Sequence, residues 1–266
     1  MTQFTYDINN TGRQVVRMGN MIEVNNLTKS YVKSGKQILN NTTFAVEAGG
    51  FYAVMGSSGS GKTTLLNVIG GIDIFDSGDI TIDGVRISAL NRNEMADFRL
   101  NNVGIVYQDY NLIDCLTLRE NIILPLHNKD IVPSEFIIVS NEVAAKFGIE
   151  EILDRYPHEV SGGEQQRAAI CRAIINRPKM VLADEPTGNL DSQSTTIVMQ
   201  CFEKLNKEDG ITILMVTHDL YTASYCDKVM LFKDGMITSS LDRDGMSRKE
   251  FYRHILTGLE LGDIYE

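Results

Sequence analysis

Short apolar runs alternate with amphipathic stretches along the chain from residue 21 onward. Apolar runs of the length of buried strands occur at residues 51–55, 103–107, 180–183 and 211–217. Residues 22–24 alternate between apolar and polar side chains, as a half-buried strand does. The pattern therefore predicts several strands, most of them buried on both faces.

Helical periodicity fills two of the intervals between these strands. Phe136, Val143 and Phe147 share one helical face, and Gly148, which follows them, is a common helix stop. Residues 164–176 are also helical in pattern and end just before an Arg-Pro pair. Two amphipathic helices are therefore predicted between the apolar runs.

A turn sequence near the C-terminus predicts a hairpin. Lys233-Asp234-Gly235 separates the apolar residues 229–232 from residues 236–237, and Asp-Gly is a frequent hairpin turn. Strands that alternate with helices elsewhere in the chain indicate an α/β core with a parallel sheet. We find no internal repeat and no low-complexity linker.

Composition and charge narrow the class of protein. The 266 residues are 43% hydrophobic and 23% charged, which is typical of a globular protein. The net charge of −10 offers no long-range attraction to nucleic acid or anionic lipid. No apolar run approaches the ~20 residues that cross a bilayer, so we expect no transmembrane helix. The polar residues 1–20 lack a signal-peptide pattern and are expected to form a loosely ordered extension.

The spacing of the cysteines and histidines does not indicate a metal site or a redox motif. The four cysteines form no CxxC pair and have no metal-ligand spacing with the four histidines. Reduced thiols in a cytosolic protein are the simplest interpretation.

Residues 56–63 match the pattern GxxxxGK[ST] of a phosphate-binding loop. An apolar strand precedes the loop and a helix follows it, which is the context that the motif requires. Glycines let backbone N–H groups converge on phosphate oxygens, and the helix N-terminus adds positive potential. Lys62 could reach the β- and γ-phosphates, and the Thr63 hydroxyl could bind Mg²⁺. The alternative, a flexible Gly/Ser loop with a chance lysine, does not explain the flanking elements.

Two adjacent acids follow the apolar run at residues 180–183. Buried carboxylates are costly unless a cation or a reaction uses them. Asp184 is thus a candidate Mg²⁺ ligand, and Glu185 could polarise a water that attacks the γ-phosphate. An acidic turn before Pro186 is the alternative, which the phosphate loop makes less favourable.

A second glycine-rich helix start lies at residues 160–167. Ser161 suits a helix N-cap, and Gly162 and Gly163 leave backbone N–H groups accessible. This segment is either a second anion-binding site or an ordinary capped helix, and its composition alone does not distinguish the two.

Together the three motifs resemble those of ABC-type ATPases in order and spacing. Further matches are Tyr31 for the aromatic that stacks on adenine and Gln108 for the glutamine after a strand. Residues 189–191 match the D-loop, and His218 matches the switch histidine. The resemblance covers about residues 21–240. It implies an α/β P-loop NTPase fold, namely an ABC nucleotide-binding domain with a RecA-like core, an antiparallel β subdomain and a helical subdomain.

The resemblance also implies a site, with ATP and Mg²⁺ as cofactors. The implied catalytic residues are Glu185, His218, Lys62 and Gln108. The implied nucleotide-binding residues are Tyr31, Gly56, Ser57, Ser58, Gly59, Ser60, Gly61, Lys62, Thr63, Thr64, Ser161, Gly162, Gly163 and Asp191. The implied magnesium ligands are Thr63, Gln108 and Asp184. In this family the signature of one subunit caps ATP bound by the other, which implies a homodimer with two shared sites.

The exact amino-acid sequences of the motifs indicate a branch of the family. Residues 183–192 are similar to the group of macrolide exporters, lipoprotein releasers and the cell-division ATPase. Residues 108–114 and 120–126 resemble the bacitracin-type peptide-antibiotic resistance ATPases. Departures from that type are Glu164-Gln165-Gln166, where Gln-Lys-Gln is expected, and Ala48-Gly49-Gly50, where an acidic residue is common. These departures leave the substrate undetermined, but they do not affect the prediction of ATPase activity.

The expected function is to power a separate membrane permease that confers resistance to bacitracin-like peptides. Alternatives are signalling through a sensor kinase or a cell-wall hydrolase, lipoprotein release and macrolide export, with a nucleic-acid-linked ATPase least favoured. The chain is expected at the cytoplasmic face of the membrane, held there by the permease. Expected limits are an extension at 1–20, an ATPase domain at 21–240 with its helical subdomain at about 112–175, and a helical tail at 241–266.

Overall fold

The computed structural model describes residues 5–8, 14–17, 19–31, 36–128 and 132–264. The strands are β1 (Thr5–Ile8), β2 (Gln14–Arg17), β3 (Asn20–Tyr31), β4 (Lys36–Glu47), β5 (Phe51–Met55), β6 (Ser77–Ile82), β7 (Val85–Arg86), β8 (Val103–Val106), β9 (Met180–Asp184), β10 (Thr212–Thr217), β11 (Lys228–Lys233) and β12 (Met236–Asp242). The α-helices are α1 (Lys62–Ile69), α2 (Arg92–Asn102), α3 (Leu118–Ile123), α4 (Pro133–Lys146), α5 (Gly162–Ile174), α6 (Ser192–Asp209), α7 (Leu220–Ala223) and α8 (Arg248–Ile264).

A six-stranded sheet forms the centre of the molecule, in the order β12-β11-β5-β10-β9-β8. All neighbours pair in parallel except β11 and β12, which form the antiparallel hairpin predicted from the Asp-Gly turn. The predicted parallel α/β core is therefore confirmed. Because β5, β10, β9 and β8 run in the same direction, the segments that follow them meet at one edge of the sheet.

Two apolar cores lie on opposite faces of this sheet, and strand β5 contributes to both. Phe51, Ala53 and Met55 pack on one side with α5, α6 and α8. Tyr52 and Val54 pack on the other side with α1 and the N-terminal strands. All five residues of β5 are buried, which explains why the run is continuously apolar instead of alternating.

A second sheet, in the order β4-β3-β6-β7, is antiparallel throughout. Ile22, Val24 and Ile80 of this sheet pack with Leu65 and Ile69 of α1, so the sheet lies against the helix that follows the phosphate loop. The expected antiparallel β subdomain is present, and its strands β3 and β4 are far longer than the short run seen in the sequence.

Helices α3, α4 and α5 lie within the segment expected to be the helical subdomain. Helix α4 ends at Lys146, and Gly148 follows with a φ of +64°, as the glycine stop predicts. The described part of residues 1–20 contains an antiparallel pair of strands, β1 and β2, and the other residues of that expected extension lie outside the description. The domain limits given above stay predictions.

No helix among the described residues is both long enough and apolar enough to span a membrane.

Candidate functional site

The loop between β5 and α1 is built around Lys62. The ammonium group donates to the backbone carbonyls of Gly56 and Ser57, both at 2.9 Å, and the residue is only 5% exposed. Gly61 has a φ of +104°, which a residue with a side chain rarely adopts. A Cβ on Gly56 would lie 2.3 Å from the carbonyl oxygen of Phe232, so the close approach of these two backbones requires glycine.

The same loop has unsatisfied donors that suit an anion. Helix α1 has no side-chain cap, which leaves its first N–H groups available to a phosphate. The buried hydroxyl of Ser60 also has no hydrogen-bond partner among the described residues. Ser57, Ser58 and Gly59 are exposed at the tip of the loop, and Thr63 and Thr64 follow in the first turn of α1. The loop could therefore hold a polyphosphate with backbone groups, a buried cation and hydroxyls.

Thr63 and Asp184 place two side-chain oxygen atoms close together at the edge of this loop. The Thr63 hydroxyl donates to Oδ1 of Asp184 at 3.0 Å. Burial and the neighbouring charge of Glu185 raise the pKa of Asp184 above its usual value, although the Thr63 hydrogen bond and Lys62 oppose them. A buried carboxylate beside a hydroxyl, disfavoured in its charged form, is the kind of oxygen-donor pair that fits Mg²⁺.

Glu185 lies between two candidate catalytic side chains. Its Oε1 is 3.6 Å from Nζ of Lys62, and its Oε2 is 2.9 Å from Nδ1 of His218. The carboxylate is 13% exposed, whereas His218 is 61% exposed. Strands β9 and β10 are neighbours, so Glu185 and His218, which follow them, are brought together. The arrangement could hold a water for attack on a terminal phosphate.

Gln108 contacts residues after β9 instead of the Thr63 and Asp184 pair. Its Nε2 donates to the side-chain oxygen of Asn189 at 3.3 Å, and Asn189 Nδ2 donates back to the Gln108 carbonyl at 3.3 Å. A Cβ on Gly188 would lie 2.9 Å from the Gln108 amide nitrogen. Within the described ranges, no hydrogen bond joins Gln108 to Thr63 or Asp184, so its expected role as a magnesium ligand stays a prediction.

Ser161 begins α5 with a reciprocal cap. Its hydroxyl accepts from the N–H of Glu164 at 3.4 Å, and the Glu164 carboxylate accepts from Ser161 N at 2.8 Å and from its hydroxyl at 2.7 Å. Hydrogen bonds from Ser161 lower the pKa of Glu164. A Cβ on Gly163 would lie 2.8 Å from the hydroxyl of Ser194, which places the helix start against α6.

Residues 161–163, the signature segment, and the phosphate loop at 56–63 have different hydrogen-bond partners within one chain. Asp191, from the expected nucleotide-binding set, caps α6 by accepting from Ser194 N at 2.8 Å. In the part of the chain that the structure describes, no hydrogen bond or ion pair links residues 161–163 to residues 56–63.

Tyr31 ends β3 and is 42% exposed. Its hydroxyl donates to Oδ2 of Asp73 at 2.8 Å, and Nζ of Lys29 lies 5.0 Å from the ring centroid. An exposed ring held at a fixed place could stack on a nucleobase. The position of Asp73 next to Tyr31 was not predicted from the sequence. Asp73 belongs to no recognised motif, and only the fold brings it close to Tyr31.

The structure also contains a chain of hydrogen-bonded hydroxyl groups, here called the hydroxyl relay, which was not predicted from the sequence. Thr187 and Thr222 are buried, and their hydroxyl oxygens are 2.9 Å apart. Thr222 donates to Oδ2 of Asp219 at 2.6 Å, and Asp219 caps α7 by accepting from the N–H groups of Tyr221 and Thr222. The relay joins the segment after Glu185 to the segment after His218. An Asp before a short helix is a capping signal that could have revealed part of it.

These two segments also line one cleft of about 600 Å³. Its lining residues are Glu185, Thr187, Gly188, Leu190, Ser192, Thr195, Thr196, His218, Asp219 and Tyr221. The cleft therefore brings the candidate catalytic pair, the segment after Asn189 and the start of α6 to one surface.

Comparison with known proteins shows the family to which the chain is similar. A protein-family model described as "ABC transporter" matches residues 39–188. "ABC transporter ATP-binding protein YxdL" of Bacillus subtilis is 49% identical over 245 residues, which are 92% of this chain and 95% of the relative. "Bacitracin export ATP-binding protein BceA" of Halalkalibacterium halodurans is 44% identical over 89% of this chain and 94% of its own length.

A solved structure has the same fold. The ATP-binding cassette MJ0796 of Methanocaldococcus jannaschii, in a dimeric post-hydrolysis state bound to ADP and Pi, aligns with a TM-score of 0.78 and 36% identity. The alignment covers 84% of this chain and 98% of the cassette. Since the family model matches more than half of the residues and relatives match along nearly their whole length, the chain belongs to the ABC transporter family as one of its ATP-hydrolysing subunits.

Proposed function

We propose that the chain binds ATP with Mg²⁺ at the 56–63 loop and hydrolyses it through Glu185, to power a membrane permease that confers resistance to bacitracin-like peptides. The position of the Glu185 carboxylate supports the proposed hydrolysis of ATP. It lies between Lys62 and His218, at the edge of the sheet where the phosphate loop begins. The family of the chain and the amino-acid sequences of its motifs support the proposed role in transport.

Each residue has a distinct role in this proposal. Glu185 orients a water and accepts its proton, and His218 holds the carboxylate in place through the 2.9 Å contact. Lys62 leaves the carbonyls of the loop to neutralise charge on the β- and γ-phosphates. Thr63 and Asp184 hold Mg²⁺, which when bound neutralises phosphate charge. Tyr31 stacks on the adenine ring.

Two copies of the chain form two shared ATP sites in this proposal. The signature Ser161, Gly162 and Gly163 of one subunit covers the ATP held by the phosphate loop of the other. The resemblance of the three motifs to those of ABC-type ATPases supports this arrangement, because in that family the signature of one subunit caps ATP bound by the other. The dimeric cassette MJ0796, which is similar along 84% of this chain, supports it as well.

The permease places the chain at the cytoplasmic face of the membrane. The name of the relative from Halalkalibacterium halodurans, "Bacitracin export ATP-binding protein BceA", supports a peptide-antibiotic substrate. The motif resemblance leaves signalling through a sensor kinase as the second candidate, since the same type of ATPase and permease could pass a signal while it moves little cargo.

The test is a bacitracin susceptibility assay in bacteria that lack their own exporter. The host receives this chain together with its proposed partner permease. We expect wild type to raise the inhibitory concentration of bacitracin severalfold and Glu185→Gln to abolish that gain, because resistance depends on ATP turnover. Cys115→Ser, a change at an exposed thiol outside the site, is the matched control and should keep the gain.

Two outcomes would count against the peptide role. Equal protection by wild type and Glu185→Gln would separate resistance from ATP hydrolysis. No protection, together with wild-type-dependent activation of a co-expressed sensor kinase, would replace transport with signalling.

A further inference from the structure

The hydroxyl of Tyr31 is tied to the end of the phosphate-loop helix. It donates to Oδ2 of Asp73 at 2.8 Å. Asp73 lies in the turn that follows α1, where the N–H groups of Ile72 and Asp73 donate to the carbonyl of Asn67 at 2.9 and 3.2 Å. One side-chain hydrogen bond thus joins the aromatic ring at the end of β3 to the helix whose other end forms the phosphate loop.

Three donors fix the Asp73 carboxylate in one orientation. Besides Tyr31, the Lys29 ammonium donates to its Oδ1 at 3.0 Å, and the N–H of Ile74 donates to the same oxygen at 2.7 Å. Lys29 also donates to the carbonyl of Ile74 and is itself only 8% exposed. Although burial opposes ionisation, the hydrogen bonds from Lys29 and Tyr31 keep the pKa of Asp73 below its usual value, so the carboxylate is charged at neutral pH.

Lys29 completes the arrangement around the ring. Its Nζ lies 5.0 Å from the centroid of Tyr31, within the range of a cation–π contact. The ring is therefore held by its hydroxyl and by this contact, while 42% of the residue remains exposed. A ring ordered before binding loses less conformational entropy when a ligand stacks on it, which favours affinity.

We propose that Asp73 is a positioning residue that fixes the Tyr31 ring relative to the phosphate loop, and thereby favours nucleotides over polyphosphates that lack a base. The inference rests on the proposed binding of ATP with the base on Tyr31. Asp73 acts through Tyr31 and the turn after α1. A ligand with both a triphosphate and an aromatic base gains from the fixed separation of the two subsites, whereas a bare triphosphate does not.

Three variants of the full chain separate the parts of this proposal. Tyr31→Phe keeps the ring and removes the hydroxyl, Asp73→Asn keeps the shape and removes the charge, and Tyr31→Ala removes the ring. Isothermal titration calorimetry gives the Kd of each variant for ATP and for inorganic tripolyphosphate. Tyr156→Phe is the matched control, because Tyr156 is similarly exposed at 41% and lies in the segment before α5.

We expect Tyr31→Phe and Asp73→Asn to weaken ATP binding by about 2- to 10-fold, the range that one hydrogen bond gives, and to leave the Kd for tripolyphosphate unchanged. Tyr31→Ala should weaken ATP binding further, again without an effect on tripolyphosphate. The control should bind both ligands as wild type does. Loss confined to the ligand with a base is a result that general loosening of the fold would not produce.

Other results would overturn the proposal in distinguishable ways. If Tyr31→Phe binds ATP as wild type does while Tyr31→Ala does not, the base stacks on the ring but Asp73 does not position it. If Tyr31→Phe weakens both ligands equally, the hydrogen bond supports the fold and not the base subsite. If even Tyr31→Ala keeps the wild-type ratio of the two Kd values, the adenine role in the proposed function fails as well.

Discussion

Glu185 has a backbone conformation that is uncommon for a residue with a side chain. Its φ is +44°, and its N–H donates to the carbonyl of Val216 at 3.0 Å, so the neighbouring strand β10 holds it. Its carboxylate contacts Lys62 and His218 on either side. Uncommon backbone conformations persist where the surroundings determine them, and they concentrate at functional sites. Glu185 thus combines a fixed backbone with a fixed carboxylate.

The hydroxyl relay near Glu185 gives a prediction for stability. Thr222 uses its own hydrogen for Asp219, so the hydrogen between the two threonines comes from Thr187. Thr222→Val leaves the buried Thr187 hydroxyl without its acceptor and removes one of the two hydrogen bonds to Oδ2 of Asp219, which keeps the one from the N–H of residue 222. We expect the free energy of unfolding to fall by about 1–3 kcal/mol, measured by urea titration.

Thr238→Val is the control for that experiment. Thr238 is exposed and makes a single long hydrogen bond of 3.3 Å, so its loss should change the free energy of unfolding little. A Thr222→Val variant as stable as Thr238→Val would show that the relay does not hold the two segments together.

The residue types of the site could be predicted from the sequence, but not their contacts. Lys62, Asp184 and His218 stand next to apolar runs in recognisable motifs, so their place at a sheet edge follows from the strand pattern. The strand order is not in that pattern, and the pairing of Glu185 with Lys62 follows from it. Asp73 and Thr222 belong to no motif, and only the fold gives them partners.

The helix caps of α5 and α8 give a prediction at the level of whole elements. Ser161 with Glu164 and Ser247 with Glu250 form the same reciprocal cap. Ser161→Ala should lower the free energy of unfolding by about 1 kcal/mol at pH 7. It should also lower ATPase activity at least tenfold, because the signature serine is proposed to contact ATP. Ser247→Ala removes the equivalent cap on α8 and should keep wild-type turnover.

The stability effect of Ser161→Ala depends on pH in a defined direction. Hydrogen bonds from Ser161 lower the pKa of Glu164 in the folded chain. A lowered carboxyl pKa stabilises the fold above the unfolded value of about 4.3, and this contribution is lost as pH falls through the lower folded value. The difference in unfolding free energy between wild type and Ser161→Ala should therefore shrink below about pH 4. A difference that grows on acidification would contradict the cap.

The strand pattern predicted the buried elements well and the antiparallel sheet less well. Strand β5 has the predicted limits, because a strand buried on both faces is continuously apolar. Strand β3 extends to Tyr31, although only residues 22–24 alternate. Its pairing with β4 shifts register between Val24 and Leu27, and Asn26 there has a φ of +48°. This irregularity interrupts the period-two pattern from which a strand is predicted.

At the scale of the whole molecule, net charge gives little information about the ligand. The chain carries −10, yet the proposed ligand is a polyphosphate. In the proposed site, Lys62, the uncapped start of α1 and the oxygens of Thr63 and Asp184 would act on the ligand and its Mg²⁺ from a few ångströms away. Opposite charges this close interact far more strongly than the net charge does across solvent. Sequence motifs predict such a local site, whereas composition does not.

In the proposed cycle, two copies of the chain close on ATP, and Glu185 then activates the water that hydrolyses it. The direct test measures ATPase activity and molar mass of Glu185→Gln, by light scattering after gel filtration with ATP and Mg²⁺. Glu203→Gln, at an acid paired with Lys207 on α6, is the matched control. We predict turnover at least about 100-fold below wild type, with ATP retained and a mass near twice the 29.7 kDa of one chain. ATPase activity near wild type in Glu185→Gln would show that Glu185 is not the residue on which hydrolysis depends.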